Sequence, residues 1–273
     1  MKRAKKFVNR ILKIIQMEEM RILPGQLAFF MVLSIFAIFP IFGFISNSFI
    51  SNELIETMEH ALPAAVSSIL KSLMETRSSS LSLIIFLISA IYIASNGCSA
   101  MIITSNILYK IPNMSPIRQK IKAFFMTIIM ISLILFIVIV PAFGEVIISG
   151  IAKLYPGKII NAVSYGYELL KYPLSFVLIF LDLKILYTLA PDSKIPSHYN
   201  NLGTFFTTVL WIIITRVYSL YLNKFNTYDL FYGSFGNVVI MLFWIYLLAY
   251  IFTMGMAINK DAYLNSKKVS SKT

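Results

Sequence analysis

The sequence predicts an all-α membrane protein: a bundle of six transmembrane helices with amphipathic helices on its outer surface and both termini in the cytoplasm. Three observations predict it. Of the 273 residues, 58% are hydrophobic and 13% charged, where a soluble domain carries about 25% charged residues. Several runs reach the roughly 18 apolar residues that a spanning helix needs. Lys and Arg gather in alternate linkers, the pattern that marks cytoplasmic loops.

Residues 1–23 form a basic amphipathic segment, with Lys2, Arg3, Lys5, Lys6, Arg10, Lys13 and Arg21 interleaved by Ile11, Leu12, Ile14 and Ile15. That pattern suits a helix lying on the inner membrane surface. The apolar run that follows is too long for the core of a signal peptide and lacks a small-residue cleavage site, so it reads as an uncleaved first span. The membrane domain, 24–260, holds spans at about 27–50, 81–104, 121–147, 173–190, 203–222 and 236–258. A short polar basic tail, 261–273, closes the chain.

The 24 Lys and Arg then fall mostly on one side. The N-terminal segment, the linker with Lys110, Arg118, Lys120 and Lys122, and the tail with Lys260, Lys267, Lys268 and Lys272 lie inside. The net charge of +12 is thereby a topology signal, and no nucleic-acid partner is needed to explain it. Membrane lipids are the expected surroundings, with a small-molecule or lipid-related ligand as the candidate partner.

Two outer loops carry helical patterning. In 52–77, Leu54, Met58, Leu62, Val66 and Leu73 recur with Pro63 as a break; in 148–172, Pro156-Gly157 marks a turn. Short interfacial helices are expected in both. Span, outer helices, span then occurs twice, a layout shared with duplicated transporters.

Polar residues at depth are the candidate sites. Asp182 lies near the middle of the fourth span and Arg216 in the outer half of the fifth. Their depths differ by roughly 6 Å at 1.5 Å per residue, so an ion pair is geometrically feasible. Such a pair either fixes helix register or marks a ligand or ion site. Substitution of either is expected to impair function more than changes to outer-loop charges. In the second span, Ala90, Ala94, Ser95, Gly97 and Ser99 permit close helix contact, with Asn96 able to bond across; a polar pore lining is the other reading.

The stretch 225-FNTYDLFYGSFG-236 precedes the last span. Gly233 and Gly236 suit a reversal at the outer surface, and Tyr228 and Tyr232 suit the headgroup belt. The alternative is a re-entrant segment lining a cavity.

That same stretch carries a resemblance. The pattern Y-x-x-x-Y-G-S-x-G (Tyr228, Tyr232, Gly233, Ser234, Gly236), followed by a span with Trp244 and Tyr246, resembles the YihY/BrkB family of bacterial inner-membrane proteins. Supporting matches are 27-LAFF-30 with Ser34, 94-ASNGCSAM-101 with Asn106 and Tyr109, and 186-LYTLAPD-192. They extend over about residues 20–260. Three departures stand out. Ala37 occupies a place where the family has proline, Ala257 in 255-GMAIN-259 stands where an acid is expected, and the family's long C-terminal extension is absent.

The resemblance implies six spans and a bacterial cytoplasmic membrane. Its ribonuclease and virulence labels name no chemistry, and it carries over no catalytic residues. The sequence itself has no H-E-x-x-H, no G-x-S-x-G and no paired carboxylate cluster, and the two histidines, His60 and His198, lack metal-ligand spacing. No cofactor, metal or enzymatic activity is expected. The favoured function is transport of a small solute or lipid-related molecule; the alternative is a non-enzymatic component of envelope assembly.

Overall fold

The computed structural model describes residues 2–49, 80–112, 114–134, 158–224 and 229–270. Among the described residues every regular element is helical: α1 (Lys2–Ile15), α2 (Glu19–Phe49), α3 (Ser80–Tyr109), α4 (116–134), α5 (Lys158–Leu189), a 3-10 turn (Ser197–Asn200), α6 (Asn201–Lys224) and α7 (Asp229–Ser270). Four segments among them are long and apolar enough to cross a membrane: Ile88–Tyr109, Tyr172–Leu189, Ser197–Tyr221 and Val238–Ser266.

The core sits where α7 runs between α2 and α6, with α3 packed on α2 and α5 on α6. Leu27, Ile102, Leu183, Ile245 and Phe252 are fully shielded there. Lipid tails are as apolar as these side chains, so close packing and interhelical hydrogen bonds must hold the bundle. Two crossings display this. At the first, the Gly97 N–H of α3 donates to the Ser34 hydroxyl of α2 at 2.9 Å, and that hydroxyl lies 2.8 Å from the Ala94 carbonyl. A Cβ on Gly97 would sit 2.5 Å from Ser34 Oγ. Gly97 and Ala94 therefore serve close packing at this crossing, which brings together the two family-like stretches around Ser34 and Gly97.

At the second crossing Gly203 of α6 meets Gly255 of α7. The Gly203 N–H donates to Asn259 Oδ1 at 2.7 Å. One turn further along, the Tyr187 hydroxyl of α5 is 2.7 Å from Thr207 Oγ1 and donates to the Phe252 carbonyl at 2.9 Å. Its ring stacks on Phe252 at 4.6 Å between centroids.

Two sequence expectations need correction or restriction. The fourth span agrees with the apolar segment Tyr172–Leu189, and it sits inside a longer helix, since α5 runs from Lys158 through Pro173. The proline removes one backbone bond, to the Leu169 carbonyl, and a helix packed in a bundle tolerates that loss. Residues 158–172 are thus part of the long helix rather than separate interfacial helices, while 52–77 and 148–157 lie outside the described residues. The turn expected over 225–236 is also shorter: α7 is helical from Asp229 onward, with an acid at its positive end.

The N-terminal helix docks on the far end of the chain. Arg10 bonds the Asp261 carboxylate at 3.1 Å and the Ile258 carbonyl at 2.7 Å, and Ile14 is buried beneath it. The pair itself is partly exposed and contributes on the order of 0.2–1 kcal/mol. It nonetheless fixes one geometric fact: α1 and the end of α7 share a face. The Tyr109 and Tyr263 rings, 6.4 Å apart, bring the end of α3 to that face too.

Candidate functional site

At that shared face, α3 is stopped by chemistry that also positions its last polar side chain. Lys110 adopts φ 56°, and the Ile111 N–H turns back to the Asn106 carbonyl at 2.8 Å before Pro112. This is a left-handed helix stop followed by a residue that cannot continue the helix. Asn106 is left fully buried and facing the end of α5. There Pro191 ends the helix, leaving the Ala190 and Pro191 carbonyls without helical donors.

Lys122, from the first turns of α4, supplies what is missing. Its ammonium donates to the Ala190 and Pro191 carbonyls at 2.9 Å each and to Asp192 Oδ1 at 2.7 Å. A cation at a helix C-terminus is also favoured by the helix dipole. Asn106 completes the arrangement by donating from Nδ2 to Asp192 Oδ2 at 2.6 Å and accepting the Asp192 N–H at 3.0 Å. Burial pushes the Asp192 carboxyl upward, but the bonds from Lys122 and Asn106 and the Lys122 charge outweigh it and hold the group below the ordinary carboxylate range.

A depressed folded-state pKa means that the carboxylate contributes stability above its unfolded value, near 3.9, which is lost as pH falls through the lower folded value. Unfolding midpoints of wild type and Asp192→Asn in detergent should therefore differ by a constant amount from neutrality to about pH 5 and converge below about pH 4. A gap that persists unchanged in strong acid would contradict the assignment.

Deeper in the same helices lies a second polar group. Cys98 of α3 is fully buried, its thiol bonded with the Thr127 hydroxyl of α4 and close to the Asp182 carboxylate of α5. Asp182 is 9% exposed, and its Oδ1 has no hydrogen-bond partner among the described residues. Between this group and the Asn106 level, Thr104 Oγ1 and Ser105 Oγ are also buried without partners among the described residues. Unpartnered buried oxygens are few in folded proteins, and here several lie along adjacent helices.

The structure separates the expected pair. Arg216 is exposed on a stripe of α6 with Ile213, Val217 and Leu220, and among the described residues no ion pair joins it to Asp182. Depth permitted the pair; the rotation of α6 about its axis, set by packing Thr204, Thr207 and Thr208 inward, did not. Asn96 lies elsewhere as well, accepting from Lys120 Nζ at 2.7 Å, with that ammonium 4.3 Å above the Tyr92 ring. It ties α3 to α4.

Of the remaining candidates, Gly97 serves the α2–α3 crossing. Tyr228 lies outside the described residues, and Tyr232, Gly233, Ser234 and Gly236 fall in the first turns of α7. Trp244 stacks on Tyr218 at 4.8 Å, with its indole Nε1 buried and unbonded, and Tyr246 is partly exposed beside Tyr250. Ala257 is buried, 1% exposed.

Sequence reasoning missed Lys122 and Asp192 as site residues. Lys122 was one more positive-inside charge, and Asp192 was legible only as the end of 186-LYTLAPD-192.

Comparison with known proteins agrees with the membrane reading. The chain is 29% identical over 258 residues to the ribonuclease-like protein YfkH of Bacillus subtilis, covering 89% of this chain and 90% of that protein. It is 28% identical over 129 residues to a UPF0761 membrane protein of Actinobacillus pleuropneumoniae, 46% of each chain. A UPF0761 membrane protein of Pseudomonas paraeruginosa shares 38% identity over 63 residues, 23% of this chain and 15% of the relative. No solved structure matches. The model of the virulence factor BrkB family matches residues 11–273, and with membrane-length helices built around the stretches that carry the resemblance, the chain belongs to that family of membrane proteins.

Proposed function

We propose that this is a multipass protein of the bacterial inner membrane, with six spans and both termini in the cytoplasm, that moves a small solute or a lipid-related molecule. The one-sided distribution of Lys and Arg supports the orientation. Arg10 meets Asp261 at one face, which supports an even number of spans.

The observation that carries transport is the Asp182 carboxylate, buried at membrane depth with an oxygen that no group among the described residues satisfies. Ionisable groups at such depth cost a few kcal/mol and characteristically mark solute or ion pathways. With the Thr127 hydroxyl and the Cys98 thiol nearby, the site suits a cationic or hydrogen-bond-donating group. The role is binding and passage rather than bond cleavage. The ribonuclease-like label of the Bacillus subtilis relative finds little support here, since these groups lie among packed helices that a polymeric substrate could not enter.

Native mass spectrometry of wild type and Asp182→Asn, released in gentle detergent, tests this. A stoichiometric small molecule or lipid bound to wild type and lost in the variant is expected. Only bulk lipid, unchanged by the substitution, would overturn transport in favour of a partner-binding role in envelope assembly.

A further inference from the structure

The bonds around Asp192 close one end of the unsatisfied seam, and their composition is that of a latch. All three donors of the Lys122 ammonium are engaged, on the Ala190 and Pro191 carbonyls and on Asp192 Oδ1. The other carboxylate oxygen takes Asn106 Nδ2. The cluster therefore has little left with which to hold a ligand. What it does is join three separate pieces of chain: the end of α3, the start of α4 and the residues just after α5.

Behind it the polarity continues inward. Ser105 lies on the Cys98 stripe of α3, seven residues on and so about 10 Å along the axis. Its hydroxyl is buried without a partner among the described residues, as is Asp182 Oδ1 deeper still, and Thr104 Oγ1, likewise unmet, lies on the adjoining face of α3. Neither hydroxyl bonds the carbonyl one turn back, as those of Thr127, Thr204, Thr208 and Thr253 do. An unmet hydroxyl between a polar closure and an unmet carboxylate suits a path that water or solute enters when the closure releases.

We propose that Lys122, Asp192 and Asn106 form a gate at the face carrying both termini, and that its release opens a hydrated route to Asp182. The inference rests on the transport reading for its purpose but not for its test. The closed state is held by charge-assisted bonds between short segments, an arrangement with two discrete states, made or broken.

The chain carries its own reporter. Cys98 is the single cysteine, fully buried and beside Asp182. Full-length protein in sealed vesicles of known orientation would be treated with a charged, membrane-impermeant methanethiosulfonate. The double variant Lys122→Met/Asp192→Asn, which removes both charges together, and the milder Asn106→Ala are compared with wild type and with Arg10→Ala, a control at the same face. Both gate variants are expected to label at Cys98 about ten-fold faster or more, only from the face carrying the termini, with wild type and Arg10→Ala slow.

Slow labelling in both gate variants, in monodisperse protein, overturns the gate. Equally fast labelling in Arg10→Ala also overturns it, since general loosening would then explain the result. Should the double variant fail to fold, Asn106→Ala decides alone. Accessible Cys98 in the variants with no ligand in native mass spectrometry leaves the gate standing and removes transport; a bound ligand with Cys98 still shielded does the reverse.

Discussion

Gly203→Val is expected to cost about 3 kcal/mol or more, because the added Cβ has nowhere to go. It would run into the Gly255 carbonyl and the Asn259 side chain, and the first of these is backbone of a buried helix. Asn259 cannot swing aside without losing its 2.7 Å bond from the Gly203 N–H. The helices would have to separate, and Tyr187, Thr207 and Phe252 one turn away would lose the contacts that depend on that spacing. In a membrane no hydrophobic force between helices compensates, so lost packing is felt directly.

The unfolding midpoint in detergent should fall by roughly 10 °C, at a few degrees per kcal/mol for a chain of this size. Gly25→Ala provides the contrast. A Cβ there meets nothing within 4 Å, so the gain in helix propensity should leave the midpoint unchanged or slightly higher. Equal midpoints for the two variants would mean that the α6–α7 crossing does not limit stability.

Lys122→Met should come close in magnitude, by a different route. The Asp192 side chain is 2% exposed, while that of Lys122 is 24% exposed. Removing the lysine strands a carboxylate and two helix-terminal carbonyls at once. Breaking a partly buried pair in this way costs less than breaking a fully buried one, on the order of 2 kcal/mol, most of it the desolvation of the charge left behind. Removing the carboxylate charge as well should recover part of the loss. The double variant Lys122→Met/Asp192→Asn is therefore expected to be more stable than Lys122→Met, with a coupling energy of about 1–3 kcal/mol in the cycle. Additive losses would show that the two groups do not act as a unit.

These two sites were legible in the sequence to different degrees. Gly255 and Asn259 stand in the 255-GMAIN-259 stretch that the family resemblance marked, yet nothing local said that Gly203 would face them. The crossing needs two glycines from different helices, and only packing pairs them. Lys122 was visible as a charge near a span end, where position alone assigns it to topology. Its bonds to residues almost 70 positions later depend on where α5 happens to stop.

Asp182 was legible in the sequence as an anomaly, because a carboxylate in the middle of an apolar run stands out wherever the helix ends up. Whether it meets Arg216 was not legible, and among the described residues no ion pair joins them. The depth of Arg216 followed from counting residues, but which way it points follows from the face of α6 that buries its threonines. Pro173 shows a related dependence. Proline forbids one hydrogen bond, and whether a helix survives that depends on what surrounds it.

The sequence by itself determined the solvent of this protein, its helical class and the places where polarity is anomalous. A bilayer admits backbone only with its hydrogen bonds satisfied internally, so apolar length translates almost directly into helices. The tertiary structure alone decided helix rotation, which small residues touch, and which distant polar groups meet at the end of α3. Those are matters of packing between surfaces brought together from far apart in the chain, and hydropathy, which treats each segment alone, contains no term for them.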